Sequence, residues 1–144
     1  MEKLVFVLIT IAAGMCNAFQ APINAALGKY TGTVESSCIS FTIGALSLFI
    51  VAMTLGKGSI LKLTEAPPYL FVGGLLGAAL VTIMMISVTR IGAAVTISSV
   101  ITGQMIAALF IDQFGFLGVP KSPVDLTRIG GIFCLAVGLK LLLK

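Results

Sequence analysis

Three carboxamides stand close together in the first apolar stretch of the chain: Asn17, Gln20 and Asn24, with Pro22 among them. A carboxamide donates and accepts hydrogen bonds but carries no charge, so such groups suit a polar, neutral or zwitterionic solute better than a bare ion. On a helix the three positions are i, i+3 and i+7 and share one stripe about 60° wide. Hydrocarbon cannot satisfy an amide, so the stripe must face protein, water or a ligand. Two uses are open: the lining of a substrate site, or hydrogen bonds that hold helices together. Gln104 is a further amide in a later apolar run, costly unless paired. Ser40 and Ser47, spaced with Gly44 at i, i+4 and i+7, and Ser99 are weaker candidates, because small residues and hydroxyls also serve close packing and bonds to their own helix. Asp112 is the only acid near the hydrocarbon; it is either a helix-end residue at the headgroups or a coupling group.

Positioning these residues requires membrane helices. The 144 residues are 58% hydrophobic and 10% charged, with mean hydropathy +1.17, which identifies an all-α integral membrane protein. Five segments approach the roughly 20 apolar residues that a span needs: Leu4–Leu27, Cys38–Leu55, Tyr69–Val88, Ile91–Ile111 and Ile129–Leu143, the last short and with a start near Leu126. They use most of the chain, so residues 1–144 read as one transmembrane domain. Lys3 before an apolar run, with Cys16 beyond it, imitates a secretory leader. Met15 is a poor neighbour for a lipoprotein cysteine and no A-x-A site follows, so a retained first helix is expected.

Within that first span Pro22 removes a backbone donor and clashes with the carbonyl of Ala18, so a kink or break is expected there, with Gly14 and Gly28 as further compliant points on about the same side. A kinked helix with freed carbonyls beside polar side chains is a common way to build a transporter site. Pro67 and Pro68 suit the start of the third span, and Gly73-x-x-x-Gly77 is a close-packing motif. Arg90, Ile91 and Gly92 leave a very short link to the fourth span. The segment from Asp112 to Asp125 is too apolar for a free linker and is expected to pack at the membrane surface.

Other chemistries lack their parts. The chain has no His, no nucleotide-binding loop, no nucleophile–base pair and no metal-ligand cluster, so no enzyme, metal or cofactor is implied. Cys16, Cys38 and Cys134 are odd in number and scattered, and read as packing residues. The positive excess is ordinary for membrane loops and does not suggest nucleic acid. Five spans would put Lys3, Lys57, Lys62, Lys121 and Arg128 on one side, and Lys29, Arg90, Lys140 and Lys144 on the other. That near balance gives almost no orientational bias. Either other features fix one orientation, or the chain inserts both ways and pairs as an antiparallel dimer, recreating an inverted repeat from two copies.

The runs Gly103-Gln104-Met105, Ile111-Asp112-Gln113-Phe114-Gly115, Pro123, Arg128-Ile129-Gly130-Gly131 and Val137-Gly138 form an ordered set over the second half of the chain. With Gly14, Gln20, Asn24 and Leu27-Gly28 near the start, they resemble the bacterial YdcZ-type family, once a domain of unknown function, within the drug/metabolite transporter superfamily. The resemblance covers essentially the whole chain. It implies a multi-pass protein of the bacterial inner membrane and favours antiparallel pairing, since small members of the superfamily pair that way. Small multidrug transporters carry a Glu in the first helix that binds cations and protons in turn. No acid lies between Lys3 and Glu35 here, which speaks against proton-coupled export of cationic drugs.

The reading is therefore a small transporter of a polar metabolite: a homodimer of two five-helix copies, ten helices in all, antiparallel, working by alternating access in the lipid bilayer. Asn17, Gln20, Asn24 and Gln104, with Ser40, Ser47 and Ser99, are expected to line its cleft, and Pro22, Gly14 and Gly28 to flex. The alternatives are a passive channel lined by amides and a non-transporting assembly subunit whose amides only glue helices.

Overall fold

The structure is a computed structural model that describes residues 2–143, so Lys144, counted in the charge balance, lies outside it. Every regular element among the described residues is helical: α1 (Glu2–Thr31), α2 (Thr33–Leu55), α3 (Val72–Ile91), α4 (Ala93–Phe114) and α5 (Leu126–Leu142), with short 3-10 segments at Ile60–Glu65, Pro68–Phe71 and Phe116–Gly118. Four stretches are long and apolar enough to cross a membrane: α1, α2, α3 with its preceding 3-10 turn, and α4. The fifth, α5, has 17 residues, about 25 Å at 1.5 Å per residue, a little short of a hydrocarbon core of about 30 Å. Each of the five expected segments thus holds a helix, the last one marginal as a span, but Ile91 closes α3 and Gly92 separates it from α4.

The chain divides into two compact units, Met1–Thr89 and Arg90–Lys144. In the first, α1 and α2 form a hairpin whose connection is the single residue Gly32. Gly32 adopts φ +100°, ψ 154°, a conformation open essentially to glycine alone. Its N–H donates to the Gly28 carbonyl at 2.9 Å and its carbonyl accepts from Ser36 N–H at 3.0 Å, so the chain reverses without stranding a backbone group. The second helix accordingly begins at Thr33 rather than at Cys38. The polar run Thr33–Ser37 is helical, and Glu35 in its first turn complements the positive end of the helix.

Of the kink or break expected at Pro22, the break does not occur: α1 runs through it for all 30 residues. Proline removes one donor, and bonds on either side carry the helix on. The half beyond Pro22 is also held from outside, by Ser36 against the Asn24 carbonyl and by Met85 against Gly28.

In the second unit α4 packs on α5. Gly92 (φ +80°, ψ 165°) precedes α4, and Gly115 (φ +66°) ends it in the left-handed conformation usual for a helix C-terminus. Asp125 caps α5, its carboxylate accepting from Arg128 N–H at 2.8 Å. The segment between is folded rather than free: Ser122 N–H donates to the Asp112 carbonyl at 2.9 Å, and Val124 N–H donates to Gln113 Oε1 at 2.8 Å.

Candidate substrate site on α1, α2 and α3

Little of the apolar surface is covered. Among the described residues the buried hydrophobic side chains are Ala21, Met84 and Met85, while Phe6, Leu8, Ile23 and Phe49 are all exposed. Lipid covers such faces in a membrane. What the fold chooses to bury is then informative, and it is mostly polar: Asn24, Ser36, Ser37 and Thr96.

Three of these four converge in the first unit. Ser36 Oγ donates to the Asn24 carbonyl oxygen at 2.7 Å across the hairpin. Ser37 Oγ lies 3.2 Å from Met85 Sδ and 3.2 Å from the Thr33 carbonyl, and its single proton serves one of them at a time. Thr82 Oγ1 sits 3.0 Å from Ser37 Oγ and 2.9 Å from the Ala78 carbonyl. Gly28 is where α1 comes close: a Cβ there would lie 3.4 Å from Met85 Cε and 3.7 Å from Ser36 Cβ. A small polar layer thus joins α1, α2 and α3, with thioether and hydroxyl groups filling the gap between backbones.

Asn24 is the anomaly in this layer. The residue is 5% exposed, and among the described residues its Nδ2 is the one buried side-chain polar atom with no hydrogen-bond partner. A buried amide donor left unmade costs about 1–3 kcal/mol, so native structures rarely keep one without a use.

The amide row is graded along α1. Asn24 is buried, whereas Asn17 and Gln20 are exposed. Gln20 lines an open groove of about 270 Å³ with Ser40, Phe41, Gly44, Ala45 and Leu48 of α2. Two residues singled out from sequence, Gln20 and Ser40, therefore share one cavity, one turn of α1 away from the buried layer. The remaining candidates lie elsewhere. Ser47 and Ser99 are exposed and donate to their own helix, to the Ile43 and Val95 carbonyls, each at 2.8 Å. Gln104 is exposed on α4, and Gly14 has open space around it. Asp112 pairs with Arg128, Oδ2 to Nη1 at 3.0 Å. Among the described residues no group of His, Cys, Asp and Glu could hold a metal ion.

Sequence reasoning missed Ser36, Thr82, Met84 and Met85. Their signal was weak but present: Ser36 lies four residues after Gly32 and Asn24 eight before it, so a one-residue reversal at Gly32 brings the two together.

A helical membrane chain with a polar layer between its first three helices has many counterparts, and a family match decides among them. The family model described as "Putative inner membrane exporter, YdcZ" matches residues 5–141. The chain belongs to the YdcZ family. Neither a curated protein nor a solved structure gives a match. As a YdcZ protein, the chain is a multi-pass protein of the inner membrane, in a family of membrane transporters rather than of enzymes. The match runs from α1 into α5, so it takes in both the Asn24 layer and the Gln20 groove.

Proposed function

We propose that this YdcZ protein exports a small polar metabolite, neutral or zwitterionic, by alternating access in a homodimer. The observation that carries the reading is the unpartnered Nδ2 of Asn24, buried in the polar layer at 5% exposure. It is a donor waiting for an acceptor such as a carbonyl or carboxylate oxygen, and Gln20 and Ser40 stand one turn away to meet the rest of the molecule. The groove of about 270 Å³ suits a solute of amino-acid size and lies near the lower end of ordinary ligand pockets. Outward movement as the direction follows the family description.

A second copy fits the remaining polar surface. Asn17 and Gln104 are exposed at membrane-spanning positions, where hydrocarbon would leave their amides unsatisfied. A partner chain would cover them. The near balance of Lys and Arg leaves an antiparallel pair open, in which each copy would repeat the other upside down. Gly14, in open space, and Pro22 are the points about which α1 would flex, and Gly28 is the packed contact with Met85 and Ser36 that would have to part. Asp112 is engaged by Arg128, so coupling through it would first have to break that pair.

Counterflow in proteoliposomes tests the reading. Vesicles loaded with a panel of isotope-labelled amino acids and polar metabolites are expected to lose at least one solute faster when the same solute, unlabelled, is outside. The Asn24→Leu and Gln20→Leu variants are expected to abolish that exchange. Unsaturable leakage of the whole panel would indicate a channel, and unaltered exchange in both variants would remove the site.

A further inference from the structure

The second unit carries a cavity that the transport reading does not use. It holds about 340 Å³ between α4 and α5, with Met105, Ala108, Leu109 and Gly131 as walls and Asp112 and Arg128 at one end. Both charged side chains are about one-third exposed, at 33% and 36%, so the pair borders open space. Their hydrogen bonds occupy only one edge of each group. Arg128 spends Nη1 on Asp112 Oδ2 and the Ser122 carbonyl, and Nη2 on Ser122 Oγ at 2.6 Å. Arg128 Nε and Asp112 Oδ1 have no protein partner among the described residues.

The position selects the class of ligand. Asp112 lies two residues from the end of α4 and Arg128 two residues into α5, where membrane helices meet the headgroups. Leu109 also lines the adjoining groove of about 490 Å³, whose walls include Ile106, Phe110 and Ile129. A charged end leading into apolar grooves is shaped for an amphiphile. Its charges narrow the choice. A wholly anionic headgroup would meet the Asp112 carboxylate, and a quaternary ammonium has no N–H to donate to it. A phosphate beside a primary ammonium matches both groups, the phosphate accepting from Arg128 and the ammonium donating to Asp112.

We propose that the α4–α5 cavity is a binding site for a phospholipid with a primary-amine zwitterionic headgroup. Arg128 Nε holds the phosphate, Asp112 Oδ1 holds the ammonium, and the Leu109 walls hold an acyl chain. The site is independent of the Asn24 layer, so the fate of either leaves the other standing.

The test is native mass spectrometry of the purified protein after exchange with equal amounts of phosphatidylethanolamine, phosphatidylcholine and phosphatidylglycerol. Phosphatidylethanolamine is expected to be retained in clear excess over both. Asp112→Asn keeps an acceptor for Arg128 but loses the charge that draws the ammonium; loss of one charge-assisted bond predicts a fall of about tenfold in that excess. Ala108→Phe fills the cavity and leaves the ion pair in place, and is expected to bring the three lipids to parity. Equal retention by the wild-type protein, preference for phosphatidylglycerol, or an ethanolamine preference that survives Ala108→Phe would overturn the site.

Discussion

At the residue scale the proposed site turns on Asn24. If its amide were helix glue, removing it would loosen α1 from α2. The contact across the hairpin is instead made by the Asn24 backbone carbonyl, to which Ser36 donates at 2.7 Å, while the side-chain Nδ2 has no partner. Asn24→Leu should therefore remove a desolvated donor, keep the backbone contact, and raise stability by about 1–3 kcal/mol. Thermal unfolding in detergent measures this, and a lowered midpoint would return Asn24 to a structural role. Ser36→Ala should act the other way, because it removes the side-chain bond that joins α2 to the Asn24 carbonyl, at a cost of about 1 kcal/mol. Residue chemistry was only partly legible in the sequence. Gln20 and Ser40 were singled out by type and spacing, and they do share a groove. Ser36, Thr82 and Met85 escaped because their partners lie on other helices, 12 to 48 residues away. Periodicity within one helix carries no information about such pairs.

At the scale of the elements, two single glycines do the work of loops. Gly32 between α1 and α2 and Gly92 between α3 and α4 hold φ of +100° and +80° with extended ψ. A Cβ at Gly92 would meet nothing within 4 Å, so Gly92→Ala isolates the backbone term. It should cost about 1–3 kcal/mol, read as a lowered unfolding midpoint. Gly14→Ala is the control, since Gly14 is helical and in open space, and it should gain about 0.5–1 kcal/mol. Element existence was legible, because apolar runs of membrane length have few alternatives. Element ends were less so. Apolarity stops the second span at Cys38, whereas hydrogen bonding carries α2 back to Thr33, and of the kink or break expected at Pro22 the break is absent.

At the scale of the whole molecule the membrane supplies most of what the fold leaves uncovered. The chain buries few of its apolar side chains and leaves Asn17, Gln20 and Gln104 exposed. Apolar faces can rest in lipid, but the amides need water, a solute or a second copy. The proposed antiparallel pair of five-span copies predicts that labelling of terminal cysteines in intact cells finds each terminus on both faces of the membrane. Labelling from one face only would replace the antiparallel pair with a parallel one. No single sequence could supply this level, since the charge balance is compatible with either arrangement.

The proposed site requires the amide row on α1 to line a path for polar solute. Cysteine accessibility reads this out, in a protein whose Cys16, Cys38 and Cys134 have been replaced and with a water-soluble maleimide as reagent. Gln20→Cys is predicted to react readily, and Asn24→Cys more slowly as the buried layer opens. Ile23→Cys, on the exposed apolar face beside the amide row, is predicted to stay unlabelled in lipid. Reaction at Ile23 as fast as at Gln20 and Asn24, or no reaction at either amide position, would show that the row lines no such path.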